Sequence, residues 1–157
     1  NRGLGVSLVL LIVAGCAPIH ESRGGKPVVV TTTGMLADLI QQVAGEDVTL
    51  VTLLGPGVDP HLYKPKESAI RKMFGADLVI YQGLHLEGKM VRVLNKTHQA
   101  RAAGRGIPEE LLLDDEGEHD PHVGFDVALW TRVLDQVATP FATSVGPTIW
   151  RSSACKG

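Results

Sequence analysis

The sequence predicts an α/β fold in which a parallel sheet is flanked by helices. Three segments of strand length, rich in β-branched and apolar residues, lie at residues 28–33, 48–54 and 77–81 and alternate with segments whose apolar residues recur at helical spacing. Strands that alternate with helices form right-handed βαβ units, so the strands run parallel and the helices cover the sheet. Because ligands bind such sheets beyond the carboxyl ends of the strands, the loop at residues 55–65 is the first place to look for a site.

The strands are recognisable by their composition and by the residues that end them. Residues 28–33 are β-branched throughout and stop at Gly34, and residues 48–54 stop at Gly55-Pro56-Gly57. The alternation calls for a further strand after the third, but residues 99–105 contain no β-branched side chain. The sequence therefore does not support a fourth strand.

Helical periodicity is found between the strands and again near the end of the chain. The predicted helices lie at residues 35–43, 67–74, 86–94 and 127–137. Asp126 is placed to cap the last of them, because a carboxylate there can accept hydrogen bonds from free backbone N–H groups. Beyond Thr139 the periodicity is lost.

The first residues have the pattern of an export signal. Residues 4–14 form an apolar run that is too short to cross a bilayer of about 30 Å but suits the centre of a signal peptide. The run ends in Val13-Ala14-Gly15-Cys16, which resembles the lipobox of bacterial lipoproteins. We therefore expect residues 1–16 to be a lipoprotein signal peptide with lipid attached to Cys16, and residues 17–26 to be a tether. The alternative is a buried apolar strand that happens to end in cysteine.

Charge and composition exclude several classes of function. The net charge is −2 and aromatic residues make up 4% of the chain, so neither a basic surface for phosphates nor a platform for stacking bases is expected. The two cysteines do not form a C-x-x-C pair, which removes support for thiolate zinc sites and for thioredoxin-like chemistry. Nucleic acid is not an expected partner.

One tripeptide occurs twice, as Asp59-Pro60-His61 and as Asp120-Pro121-His122. A metal ligand benefits from an imidazole that is held in one orientation, and the preceding proline stiffens the backbone that presents the ring. The aspartate is close enough to orient the imidazole by accepting a hydrogen bond from it. Asp-Pro also opens ordinary turns, and surface histidines are mostly solvated, but the repetition favours metal binding.

Further stretches complete a recognisable pattern. They are Thr33-Gly34-Met35-Leu36-Ala37-Asp38, Gly55-Pro56-Gly57-Val58-Asp59-Pro60-His61-Leu62-Tyr63, Gly83-Leu84-His85-Leu86-Glu87, and the residues Val123, Phe125, Asp126 and Trp130 after the second tripeptide. Over roughly residues 26–137 the chain resembles the N-terminal lobe of the bacterial metal-receptor lipoproteins of ABC importers, which include zinc and manganese binders.

The resemblance implies a Rossmann-like lobe at residues 27–137, one half of a two-lobed receptor of the periplasmic-binding-protein type. It implies that His61 and His122 are metal ligands, that the cargo is Zn²⁺ or Mn²⁺, and that the second lobe supplies the other ligands. The expected partner is an ABC permease, and the receptor is expected to be a membrane-anchored monomer rather than an enzyme. Residues 138–157 do not resemble the family's continuing helix, which indicates a truncated or frame-shifted gene.

Two other classes of function remain as alternatives. One is an adhesin-like surface lipoprotein whose metal site is incidental. The other is a metal-dependent hydrolase, which would need an open coordination position and a positioned base; no His-Glu-x-x-His motif supports it.

The chain also departs from the family's pattern beside the second histidine. The family usually has an aromatic residue where this chain has Gly124, so we expect an open wall next to His122. Two more histidines lie near the predicted site. We expect a structural or peripheral role for His85 and a solvated position for His119.

Overall fold

The computed structural model of the chain describes residues 25–115 and 117–144. Within these ranges the main sheet consists of β1 Val28–Thr31, β2 Thr49–Thr52, β3 Leu78–Tyr81 and β4 Ala100–Ala102. All four strands are parallel and lie in the order β2-β1-β3-β4. Val29 of β1 lies opposite Leu50 of β2 on one side and Leu78 of β3 on the other. The predicted parallel α/β architecture is confirmed.

The other elements cover this sheet or follow it. The helices are α1 Gly34–Ala44, α2 Glu67–Gly75, α3 Val91–Leu94 and α4 Val127–Ser144. A small antiparallel sheet contains β5 Asp114–Asp115 and β6 Glu118–His119. Among the described residues, no helix is both long enough and apolar enough to span a membrane.

The core lies on both faces of the sheet, and β1 shows this best. Val29 and Val30 are 1% and 0% exposed, and successive strand residues point to opposite faces. Val29 belongs to the cluster that contains residues of α1 and α4, namely Leu36, Ile40, Val133, Val137 and Phe141. Val30 belongs to the cluster that contains Met73, Val79, Met90 and Leu94. Burial on both faces explains why β1 is a continuous β-branched run.

The existence of β4 corrects the expectation that no strand forms around residue 100. Ala100 and Ala102 pair with Val79 and Tyr81 of β3, although alanine has a low preference for strands. The neighbouring β3 supplies the hydrogen-bonding partner for the strand. Gln99, the residue before β4, also holds the start of this strand near the end of α2. Its side-chain amide donates to the carbonyl oxygens of Met73 and Ala76 at 2.9 and 3.1 Å.

Two helices differ in length from their predictions. The predicted helix at residues 86–94 is helical only over Val91–Leu94, because the segment before it forms turns in which Leu84 and His85 have φ of 52° and 62°. The predicted end of the last helix at residue 137 is also wrong, since α4 continues to Ser144. Val133, Val137 and Phe141 are spaced four residues apart and are all buried, which extends the apolar face of α4.

The start of α4 agrees with its prediction. Asp126 Oδ1 accepts hydrogen bonds from the backbone N–H groups of Ala128 and Leu129 at 2.8 and 3.1 Å. The predicted boundary between residues 137 and 138 falls inside this helix. The predicted leader at residues 1–16 with Cys16, most of the tether, and residues 145–157 lie outside the described part of the chain.

Candidate metal centre

The two predicted site histidines meet beyond the carboxyl ends of β1, β2 and β3. His61 lies on the loop between β2 and α2, and His122 lies between β6 and α4. Their Nε2 atoms are 3.3 Å apart, the ring centroids are 5.3 Å apart, and the ring planes form an angle of 55°. The same nitrogen of each ring therefore points toward a shared position.

This separation suits a single ion bound to both rings. Two nitrogens that each lie 2.0–2.1 Å from a tetrahedral zinc are about 3.3–3.4 Å apart. The observed Nε2–Nε2 distance is 3.3 Å. The rings thus have the spacing required of two ligands of one ion.

The two aspartates share one role and differ in another. Asp59 Oδ1 and Asp120 Oδ1 accept hydrogen bonds from the backbone N–H of His61 and His122 at 2.8 and 2.9 Å. These bonds close the same local turn in both tripeptides. Asp120 Oδ1 also lies 2.7 Å from Nδ1 of the His122 ring. Of the two, only Asp120 orients its histidine's ring.

The contact between Asp120 and His122 affects the electrostatics of both groups. Two hydrogen bonds from His122 lower the pKa of Asp120 below its ordinary value. The larger effect on this pKa comes from the backbone N–H of His122 and the smaller from its ring. An ionised Asp120 favours the imidazole tautomer with hydrogen on Nδ1, which leaves a lone pair on Nε2. That lone pair faces His61.

Both rings are partly accessible to solvent. The His122 side chain is 51% exposed, and His61 is partly exposed. Within residues 25–115 and 117–144, no group of three or more histidine, cysteine, aspartate or glutamate side chains could hold a metal. This part of the chain therefore offers two facing imidazole nitrogens and no third ligating side chain beside them.

An apolar cleft of about 930 Å³ adjoins the histidine pair. Its walls come from the start of α1, the loop after β2 and the segment from Pro121 to Phe125. Three of the side chains that line it are exposed and apolar, namely Met35, Val58 and Phe125.

The wall beside His122 is not open, contrary to the expectation from Gly124. A Cβ atom on Gly124 would lie 2.1 Å from Cε of Met35 and 3.7 Å from the Trp130 ring. The Met35 side chain, which comes from α1, occupies the space that a larger residue at position 124 would need. A flexible thioether therefore closes this wall.

His85 and His119, the two other histidines expected near the site, do not join the pair. Nε2 of His119 lies 3.4 Å from Oε1 of Glu109, so His119 has a carboxylate neighbour instead of being simply solvated. His85 is exposed on the loop after β3.

Two polar residues near the site were not predicted. Gln82 and Glu87 are 3% and 1% exposed, and the Gln82 side chain donates to the carbonyl oxygen of Pro121. The sequence holds one indication that Glu87 is buried, which is its place between the apolar residues Leu86 and Met90. Both of these residues are buried in the structure. Buried carboxylates are rare unless they are paired or hydrogen-bonded.

Together these features define an α/β lobe that presents two facing imidazoles at the carboxyl edge of its parallel sheet. The chain belongs to the family described as zinc-uptake complex component A, periplasmic (ZnuA), which matches residues 29–144. The match covers α4 to its end and confirms the resemblance found in the sequence.

Individual relatives agree with this assignment. The chain is 49% identical over 117 residues to the zinc-binding protein TroA of Treponema pallidum, covering 72% of this chain and 38% of the relative. It is 41% identical over 122 residues to the manganese-binding lipoprotein MntA of Bacillus subtilis, covering 74% of this chain and 40% of the relative. The solved structure of the periplasmic zinc-binding protein TroA from Treponema pallidum matches with a TM-score of 0.77 and 43% identity, over 81% of this chain and 47% of that chain. The chain thus spans less than half the length of these relatives.

Proposed function

We propose that this chain is the N-terminal lobe of a receptor that captures a divalent transition metal, Zn²⁺ or Mn²⁺, for import by an ABC permease. His61 and His122 are the two ligands that the lobe contributes. The observation that carries the proposal is the 3.3 Å separation of their Nε2 atoms at the exposed edge of the sheet. Asp120 orients the His122 ring, and Asp59 holds only the backbone of His61.

The relatives support the cargo and the location. One is described as zinc-binding and another as a manganese-binding lipoprotein, and the family description is periplasmic. These descriptions agree with an exported protein anchored through lipid on Cys16, behind a signal peptide at residues 1–16 and a tether at residues 17–26. Lipid attachment and the monomeric state stay predictions.

Metal capture is favoured over hydrolysis by the surroundings of the histidine pair. A metal-dependent hydrolase needs a carboxylate that is free to act as a general base toward metal-bound water. Oδ1 of Asp59 is bonded to the His61 backbone, and Oδ1 of Asp120 is bonded to both the backbone and the ring of His122. Both carboxylates hold histidines, which is a role suited to binding and release.

The second lobe determines which metal is bound. Two imidazoles leave two positions open on a tetrahedral zinc, and manganese accepts additional oxygen ligands. The His61–His122 pair alone therefore provides part of the affinity and does not select between these ions.

The ligand assignment is tested by titrating the full chain with Zn²⁺ in a calorimeter. We expect a Kd on the order of micromolar, because half of the ligands are missing. His61→Ala and His122→Ala should each reduce the affinity at least about tenfold. His119→Ala is the matched control, since it removes an imidazole that contacts Glu109, and should leave the affinity unchanged.

Nanomolar binding that survives the double substitution at positions 61 and 122 would contradict the assignment. The transport role has a separate test, which is growth of a deletion strain in metal-depleted medium. Normal growth and normal zinc and manganese content of the deletion strain would argue against import.

A further inference from the structure

Glu87 is buried and fully hydrogen-bonded, yet it touches neither histidine ring. Its Oε1 accepts hydrogen bonds from Thr32 Oγ1 at 2.7 Å and from the backbone N–H of Gln82 at 2.8 Å. Its Oε2 accepts one from the backbone N–H of Gly83 at 3.0 Å. A buried carboxyl group is costly unless such donors surround it. Here the donors are Thr32, which directly follows β1, and Gln82 and Gly83, which directly follow β3.

The backbone of Gln82 is held at both of its polar groups. Its N–H donates to Glu87, and its carbonyl oxygen accepts from the N–H of Gly104 at 2.8 Å. A Cβ atom on Gly104 would lie 2.8 Å from the same carbonyl oxygen, so the two segments are in close contact. The position of the Gln82 Cα, from which the side chain extends, is therefore held by these backbone hydrogen bonds.

That side chain reaches across to the second tripeptide. Nε2 of Gln82 donates to the carbonyl oxygen of Pro121, the residue immediately before His122. Because the proline ring fixes φ, holding the Pro121 carbonyl also limits the orientation of the peptide that leads into His122.

The same segment lies against the first tripeptide. A Cβ atom on Gly88 would be 3.8 Å from the carbonyl oxygen of His61 and 3.6 Å from that of His85. Residues 82–88 thus lie close to the backbone of His61 on one side and are hydrogen-bonded to Pro121 on the other. The segment is in a position to set the distance between the two loops.

We propose that Gln82 is a positioning residue for metal capture, held in place by Glu87, so that the loop after β3 sets the separation of His61 and His122 before an ion arrives. The inference rests on the proposed function for its relevance to metal binding. The geometry it describes exists without the ion, since the Nε2 atoms are already 3.3 Å apart. Holding ligands in place beforehand raises affinity by reducing the entropy lost on binding.

The test uses the full chain with Gln82→Met, which keeps the length of the side chain and removes its donor. Gln99→Met is the matched control, because Gln99 also donates its side-chain amide to backbone carbonyls, but those of Met73 and Ala76 near the end of α2. We expect Gln82→Met to weaken Zn²⁺ binding about tenfold and Gln99→Met to leave it unchanged, with both measured on folded protein.

A second readout separates positioning from a general loss of stability. Long-range ¹H–¹⁵N correlation spectra of the metal-free chain report the nitrogens of each histidine ring. Gln82→Met should shift the His122 signals, and Gln99→Met should leave them at their wild-type positions. If Gln82→Met fails to fold, Gln82→Asn serves instead, since it is one methylene too short to reach Pro121 but keeps a polar amide.

The spectra decide the inference even if the proposed function is wrong. Wild-type His122 ring signals in both Gln82 variants would overturn it, whatever their thermal stability. Shifted His122 signals together with zinc binding that ignores His61→Ala and His122→Ala would support the positioning and reject the metal assignment.

Discussion

The two Asp-Pro-His tripeptides are identical in sequence but differ in how their rings are held. In both, the aspartate accepts a hydrogen bond from the backbone N–H of the histidine, at 2.8 Å in the first and 2.9 Å in the second. Only the second adds a contact of 2.7 Å between Asp120 and the ring, and a hydrogen bond from Gln82 to its proline. The tripeptide therefore determines the local backbone, and distant residues determine whether the ring is fixed.

The two histidines therefore differ in how firmly their rings are oriented. His122 is oriented in advance by Asp120, whereas the His61 ring is free of such a contact and its loop begins with Gly55-Pro56-Gly57. Gly57 has φ of 76°, a conformation that glycine adopts without strain. The His122 ring is therefore held by a carboxylate contact that the His61 ring does not have.

The largest expected effect within this comparison comes from removing each aspartate. Asp59→Ala and Asp120→Ala both lose the turn hydrogen bond, so their effects on thermal stability should be similar. Zinc affinity should fall about tenfold or more in Asp120→Ala, which also loses the ring contact, and much less in Asp59→Ala. Calorimetric titration of both variants measures the difference. Equal losses of affinity would remove the distinction between the two tripeptides.

A smaller effect is expected at the wall beside His122. Gly124→Phe should destabilise the chain modestly, because its side chain must displace the flexible end of Met35. Met35→Ala shortens a side chain that is 47% exposed and empties the space that the introduced phenylalanine ring would need. The double variant Met35→Ala/Gly124→Phe should therefore recover part of the stability lost in Gly124→Phe. A double-mutant cycle from urea unfolding should give a coupling of about 1 kcal/mol. A coupling near zero would show that Met35 does not fill this space.

Much of the fold followed from local sequence. β1 is predictable because burial on both faces favours a continuous run of β-branched residues, and Val29 and Val30 are buried in separate clusters. The position of His61 followed from the rule that ligands bind beyond the carboxyl ends of parallel strands. The meeting of the two histidines was suggested by the repeated tripeptide and by the resemblance to metal receptors.

The features that sequence reasoning missed all depend on contacts between distant parts of the chain. β4 forms because β3 offers it a partner, although its own residues have little strand preference. The short α3 follows a turn segment that the buried Glu87 holds through Gln82 and Gly83. The closed wall at Gly124 depends on Met35, which belongs to a different helix from the one that follows His122.

In the proposed site, one ion binds both imidazoles through their Nε2 atoms. Cadmium NMR of the ¹⁵N-labelled full chain with ¹¹³Cd²⁺ tests it most directly, because scalar coupling identifies each nitrogen bound to the metal. We predict a single cadmium resonance coupled to Nε2 of both His61 and His122. Cadmium coupled to neither ring, to Nδ1 of His122, or to only one of the two histidines would contradict the claim.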